Sequence, residues 1–144
     1  MLTRADMPPG YVLVNSAQDD LYIEDADNPS LFIDAGVQDR TLRFEIRAEE
    51  RFTGNRSFVR GNVLFALMMR HFGTTFDLIA SLWLDGTNLE RFNRATAGGM
   101  TEADAGWATW TGELAIAYGF TRLTVEETIG GPGRYGLVRV WYYR

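Results

Sequence analysis

The sequence predicts an α+β fold, a mostly antiparallel sheet with a buried central helix and an αα-hairpin, in the order ββββ-α-β-αα-ββ. Two observations carry this prediction. Short apolar runs split by turn residues fill the first fifty positions, and helical spacing with capping signals takes over after position 59, before two further strand-like runs end the sequence. At 144 residues, 46% of them hydrophobic, the chain reads as a single domain over 1–144, able to bury roughly two thirds of the surface its unfolded form exposes. Within it, 1–50 is an acidic strand-rich part, and 51–144 carries the helices and a C-terminal hairpin.

The first four strands are YVLV (11–14), LYI (21–23), LFI (31–33) and TLRFEIR (41–47), separated by SAQDD, DADNPS and AGVQD. In the fourth, Leu42, Phe44 and Ile46 alternate with Thr41, Arg43, Glu45 and Arg47, giving one buried and one charged face. From about 59 to 72 the two-residue period disappears. VLFALMM is apolar on every side, which predicts a buried helix ended by Gly73, with Arg70 and His71 beside its negative C-terminal end. FDLIASLWL (76–84) returns to alternation, with Phe76, Leu78, Ala80, Leu82 and Leu84 on one face.

Thr87-Asn-Leu-Glu90 has the form of a capping box and opens a short helix to Ala97, which Gly98 and Gly99 stop. Thr101 and Asp104 start the next helix, read as continuous to Gly119. It carries a small-residue stripe, Ala105, Ala108, Gly112, Ala115 and Gly119, opposite a face of Ala103, Trp107, Trp110, Leu114 and Tyr118, leaving mainly Glu102, Thr109 and Glu113 for water. TRLTVEETI (121–129) and LVRVWYY (137–143) close the chain as a hairpin around GGPGRYG.

Composition excludes more chemistry than it suggests. There is no Cys, one His, and all fourteen basic residues are Arg. Disulfides, thiol nucleophiles, Schiff bases, multi-histidine metal sites and a Walker lysine are therefore ruled out, and neither a metal nor a cofactor is expected. The net charge of −5 disfavours general nucleic-acid binding. The acid is concentrated early: Asp6, Asp19, Asp20, Glu24, Asp25, Asp27, Asp34 and Asp39 face only Arg4 and Arg40 within residues 1–40. Such a segment serves as a solvated face or greets a basic partner. No apolar run suits a membrane span or a signal peptide, so a soluble chain is expected, cytoplasmic unless a larger polypeptide exports it.

Candidate site residues gather around GNRSFVRGN (54–62). Arg56, Ser57, Arg60 and Asn62 stand at the start of the buried helix, where unpaired amides and the helix dipole favour an anion such as a nucleotide. The same residues also fit a capped loop, with Ser57 or Asn62 as the cap and the arginines paired to Glu49, Glu50 or the acidic segment. His71, as the only imidazole, is the default general base. Asp85, Asn88 and Asn93 cluster after the fifth strand and suit a polar pocket as well as a turn, with Asp85 a second catalytic candidate. Glu126 and Glu127 in VEET resemble the catalytic glutamate of ADP-ribosyltransferases, but the Ser-Thr-Ser core of that family is missing, and adjacent glutamates on a strand also fit a solvated face.

FALMMRHFG, the DGTNLERFN block, GGMTEADAGWATWTGELAIAYGF and the terminal GPGRYGLVRVWYYR come in an order that resembles the C-terminal tip domains of bacterial polymorphic toxins of the Rhs-repeat type. The resemblance covers residues 58–144. It implies an effector delivered into a competitor cell and paired with a cognate immunity protein, and it assigns no catalytic residues. Two functions follow as expectations. One is an antibacterial effector acting on a nucleotide or other anionic substrate through the arginine-bearing helix terminus. The other is a non-enzymatic acidic binding module, such as an immunity or adaptor protein.

Overall fold

The computed structural model describes residues 1–50, 53–55 and 59–144. The fold is α+β in the expected order, with antiparallel strand pairs. The chain divides into two compact units, Met1–Phe76 and Asp77–Arg144. This border lies beyond the change in composition at 50/51.

In the first unit, β1 (Tyr11–Ala17), β2 (Asp20–Asp25), β3 (Phe32–Gln38) and β4 (Thr41–Arg47) pair in sequence as an antiparallel meander. The first three run longer than their apolar cores suggested. In particular, β3 continues through Ala35, Gly36 and Val37, so the β3–β4 turn is only Asp39 and Arg40, both at positive φ (51° and 56°). A two-residue loop with both residues left-handed matches the twist of a hairpin. The alternation puts Leu21, Ile23, Ile33, Ala35 and Leu42 on the buried face. Helix α1 (Gly61–Phe72) packs on that face, with Phe65 edge-on to Phe44 at 5.5 Å between centroids.

α1 ends at Gly73, whose φ of 58° is a conformation only glycine takes cheaply. Its apolar girdle is not buried all round. Leu64, Phe65, Met68, Met69 and Phe72 are buried, whereas Val63 is 46% exposed and Asn62 and Arg70 face solvent. A short 3-10 turn at Arg4–Asp6 precedes the strands and is tied off by Asp6, which accepts from the Thr3 amide at 2.7 Å.

In the second unit, β7 (Leu137–Tyr143) lies between β5 (Leu78–Trp83) and β6 (Arg122–Ile129), antiparallel to both. Ile79, Ser81 and Trp83 are the buried residues of β5, while Leu82 and Leu84 are 46% and 59% exposed. Of the apolar set read as one face, Phe76 is fully buried, Leu78 and Ala80 are half-buried, and the side opens at Leu82 and Leu84. The helical side is α2 (Gly86–Ala97), α3 (Glu102–Trp107) and α4 (Trp110–Ala117).

Two local expectations change here. α2 begins one residue before Thr87, because Gly86 at φ 83° turns the chain directly after Asp85, so Thr87 lies inside the first turn and the capping box does not form. The helix expected over 101–119 breaks at Ala108 and Thr109. Thr109 is an N-cap, its hydroxyl accepting from the Gly112 amide at 3.0 Å, and it is fully buried rather than water-facing. The break folds α4 back so tightly that a Cβ on Gly112 would lie 2.2 Å from the Gly106 carbonyl oxygen. Thr101 caps α3 as expected, accepting from the Asp104 amide at 3.1 Å.

Candidate functional site

Arg56 and Ser57 lie outside the described residues. Of the remaining helix-terminus candidates, Arg60 is the N-cap of α1, in extended conformation, and its carbonyl accepts from Val63 and Leu64 at 3.0 and 3.2 Å. The Arg60 side chain does not cap this end, and both Arg60 and Asn62 are exposed. After β4, the Glu50 carboxylate accepts from Asn28, Ser30 and Thr53. These donors, with the Thr53 hydroxyl the largest influence, hold the Glu50 carboxyl below its ordinary range.

His71 sits at the other end of α1, about 15 Å of helix away. It is buried, and both ring nitrogens are engaged by backbone. Nδ1 accepts from the Leu2 amide at 3.1 Å, and Nε2 faces the Ala17 carbonyl at 2.7 Å and the Asp20 carbonyl at 3.2 Å. Carbonyls only accept, so Nε2 carries the proton and Nδ1 is the lone pair. A base whose lone pair is spent on a buried amide has none to offer a substrate in this arrangement.

Of the polar residues after β5, Asn88 and Asn93 are likewise spent on folding. Asn88 donates to the Thr111 hydroxyl at 3.0 Å and accepts from the Thr111 amide at 2.9 Å, fixing α2 to the first turn of α4. Asn93 does the same to the GGPGRYG loop, accepting from the Tyr135 amide at 2.6 Å and donating to its carbonyl at 3.0 Å. Thr96 accepts from Gly133 at 3.0 Å. Under the helices, Tyr142 donates to the Gly106 carbonyl at 2.6 Å, and burial pushes its phenol well above the ordinary tyrosine range. Asp85 is the exposed N-cap residue of α2. Arg60, Asn62 and His71 therefore belong to the first unit, Asp85 and Asn88 to the second. Among the described residues no group of three or more His, Asp or Glu side chains converges as a metal site.

Comparison with protein-family models, curated proteins and solved structures finds no match to this chain. Its candidate function therefore rests on its own surface.

The feature that sequence reasoning missed is the outer face of the β1–β4 sheet. Register places Tyr22 beside Asp34 and Glu45 in one row, Glu24, Phe32 and Arg47 in the next, and Asp20, Gly36 and Arg43 in a third. Tyr22 and Phe32 stack at 6.1 Å and 17°, and the Arg47 guanidinium lies 5.5 Å over the Phe32 ring while pairing with Glu45 at 2.9 Å. Partial burial, the Glu24 hydrogen bond at 3.2 Å and the charge of Asp34 raise the Tyr22 phenol above its ordinary value. One end of the face opens into a depression of about 500 Å³ lined by Asp19, Asp20, Gly36, Val37, Gln38 and Arg43. The signal was present in LYIED and LFID, where Tyr22, Glu24, Phe32 and Asp34 alternate with the core residues Leu21, Ile23, Leu31 and Ile33.

Among the described residues, no helix is long and apolar enough to cross a membrane.

Proposed function

We propose that this chain is a non-enzymatic binding module whose acidic N-terminal sheet receives a basic protein partner, as an immunity or adaptor protein would. The observation that carries the reading is the outer sheet face, where Asp20, Glu24, Asp34 and Glu45 surround the stacked Tyr22 and Phe32. Aromatic side chains supply contact area at low entropic cost, and carboxylates around them steer and orient a basic surface. The intramolecular seat of Arg47 on Phe32, a guanidinium over a ring and paired with Glu45, supports a basic partner for this platform. The engagement of His71 and Asn88 by backbone and buried groups favours this over a reaction routed through them.

The test has two arms. Cytoplasmic expression in bacteria should leave growth unaffected. An arginine-rich peptide titrated into the labelled protein should perturb Tyr22, Phe32 and Asp34 first, with affinity that falls steeply with salt and is lost in a Tyr22→Ala, Asp34→Asn variant. Diffuse perturbation over all acidic residues, unchanged by that variant, would remove the face from consideration.

The effector reading keeps one observation of its own. The exposed Arg60 stands at the N-terminus of α1 and does not itself cap the first turn, an arrangement that suits an anion. On that reading the chain is a tip domain of the polymorphic-toxin kind, its expression arrests growth, and a cognate immunity protein relieves the arrest.

A further inference from the structure

His71 holds a segment that precedes the sheet. Leu2 is buried to 3% exposure, its amide donates to Nδ1 at 3.1 Å, and its carbonyl accepts from the Ser16 hydroxyl at 2.8 Å. Further along the same segment, Asp6 pairs with Arg70 of α1 at 2.7 Å. On its other side the ring donates to Ala17 at the end of β1, with the Asp20 carbonyl also in reach, and its edge meets Phe72 at 4.7 Å and 89°. One imidazole thus joins the N-terminal segment, the β1–β2 turn and the last turn of α1. It does so only as the neutral tautomer with the proton on Nε2.

We propose that residues 1–7 are an acid-released strap, opened when His71 gains a proton at Nδ1. The second proton turns the acceptor into a donor, so an N–H would face the Leu2 N–H and the bond cannot survive. Protonation of the ring and release of the strap are therefore linked. Among the described residues, the charged side chains on the segments that meet at His71 are Arg4 and Asp6 on the strap, Asp19 and Asp20 in the β1–β2 turn, and Arg70 on α1. Asp6 and Arg70 neutralise each other, and the Asp20 carboxylate is engaged by Asn15 at 2.6 Å. The direction is fixed: the strap is held while the ring is neutral and released when Nδ1 is protonated.

His71 is the only histidine, so its ring signals in an isotope-labelled sample are unambiguous. Following those signals and the hydrogen-exchange protection of the Leu2 amide in the full chain from about pH 8 to pH 5 spans the interval where imidazoles change charge. The expected result is a fall of roughly tenfold in Leu2 protection, the weight of one hydrogen bond, with the midpoint of the ring titration. An Asp6→Asn variant should keep that linked transition. The proposal is overturned if the ring titrates while Leu2 stays protected, if the ring stays neutral throughout, or if Asp6→Asn abolishes the transition and so identifies the carboxylate as the trigger.

Discussion

Asn88 grips Thr111 with both ends of its side-chain amide, donating to the hydroxyl at 3.0 Å and accepting from the backbone N–H at 2.9 Å. Thr111 is 1% exposed, so water cannot replace a lost partner. Asn88→Ala should therefore destabilise the protein by about 2–4 kcal/mol, two bonds lost and polar groups left buried. Urea unfolding measures this. A change below about 0.5 kcal/mol would mean the clamp contributes nothing and would restore Asn88 as a ligand candidate.

Gly112 and Gly106 should respond differently to the same added methyl. At Gly112 the new carbon meets the Gly106 carbonyl at 2.2 Å and the Trp107 backbone at 2.8 Å, neither of which can retreat without separating α3 from α4. Gly112→Ala is expected to cost about 3 kcal/mol or more. Gly106→Ala meets the Leu123 side chain, Cδ1 at 2.7 Å, which can change rotamer, so a cost of about 1–2 kcal/mol is expected. Thermal melts of the two variants would show the reverse order if the helix break were plastic.

Acid should weaken the first unit through Glu50 and Asp6. Both carboxyls are held below their ordinary values of 4.5 and 3.8, Glu50 chiefly by the Thr53 hydroxyl and Asp6 chiefly by the Thr3 amide. A depressed folded value means the stabilisation is complete above the unfolded value and disappears as pH falls through the folded one. Urea midpoints measured from pH 6 to pH 3 should fall below about pH 4.5. Glu50→Gln should be less stable at pH 6 and lose less over that interval, whereas a parallel curve would mean Glu50 titrates without consequence.

Arg60→Ala separates the two functional readings. The side chain is exposed at the head of α1, so its removal should cost apo stability no more than about 1 kcal/mol. If the helix terminus takes an anion, nucleotides, dinucleotides or sulfate will raise the melting temperature of the wild type, and Arg60→Ala will lose about 1.5–3 kcal/mol of that binding. The binding-module reading expects no such ligand shift in either protein, and a large, Arg60-dependent shift would reverse the preference stated above.

How much of this was legible in the sequence follows from the range of the interactions involved. The β4 alternation over Thr41–Arg47, the Gly73 stop of α1 and the Thr101 cap of α3 were read correctly because each depends on residues within one turn or one pleat. Periodicity and capping are local physics, and they determined the α+β class and the order of elements. Thr109 misled, since its spacing places it on the wet side of a continuous helix. Only the tertiary structure ends α3 there, where Gly112 can close on Gly106 and Tyr142 from β7 joins Thr109 on the same carbonyl. The candidate site shows the same division. His71 and Asn88 have the residue types of catalysis and binding, and the sequence determined that chemistry. Their partners stand 69 and 23 residues away, and it is those long-range bonds that turn one into a backbone latch and the other into a clamp. The outer face of Tyr22, Phe32, Asp34 and Glu45 arises in the same way: alternation marks which side chains point outward, but only strand register sets acids and aromatics from three strands side by side.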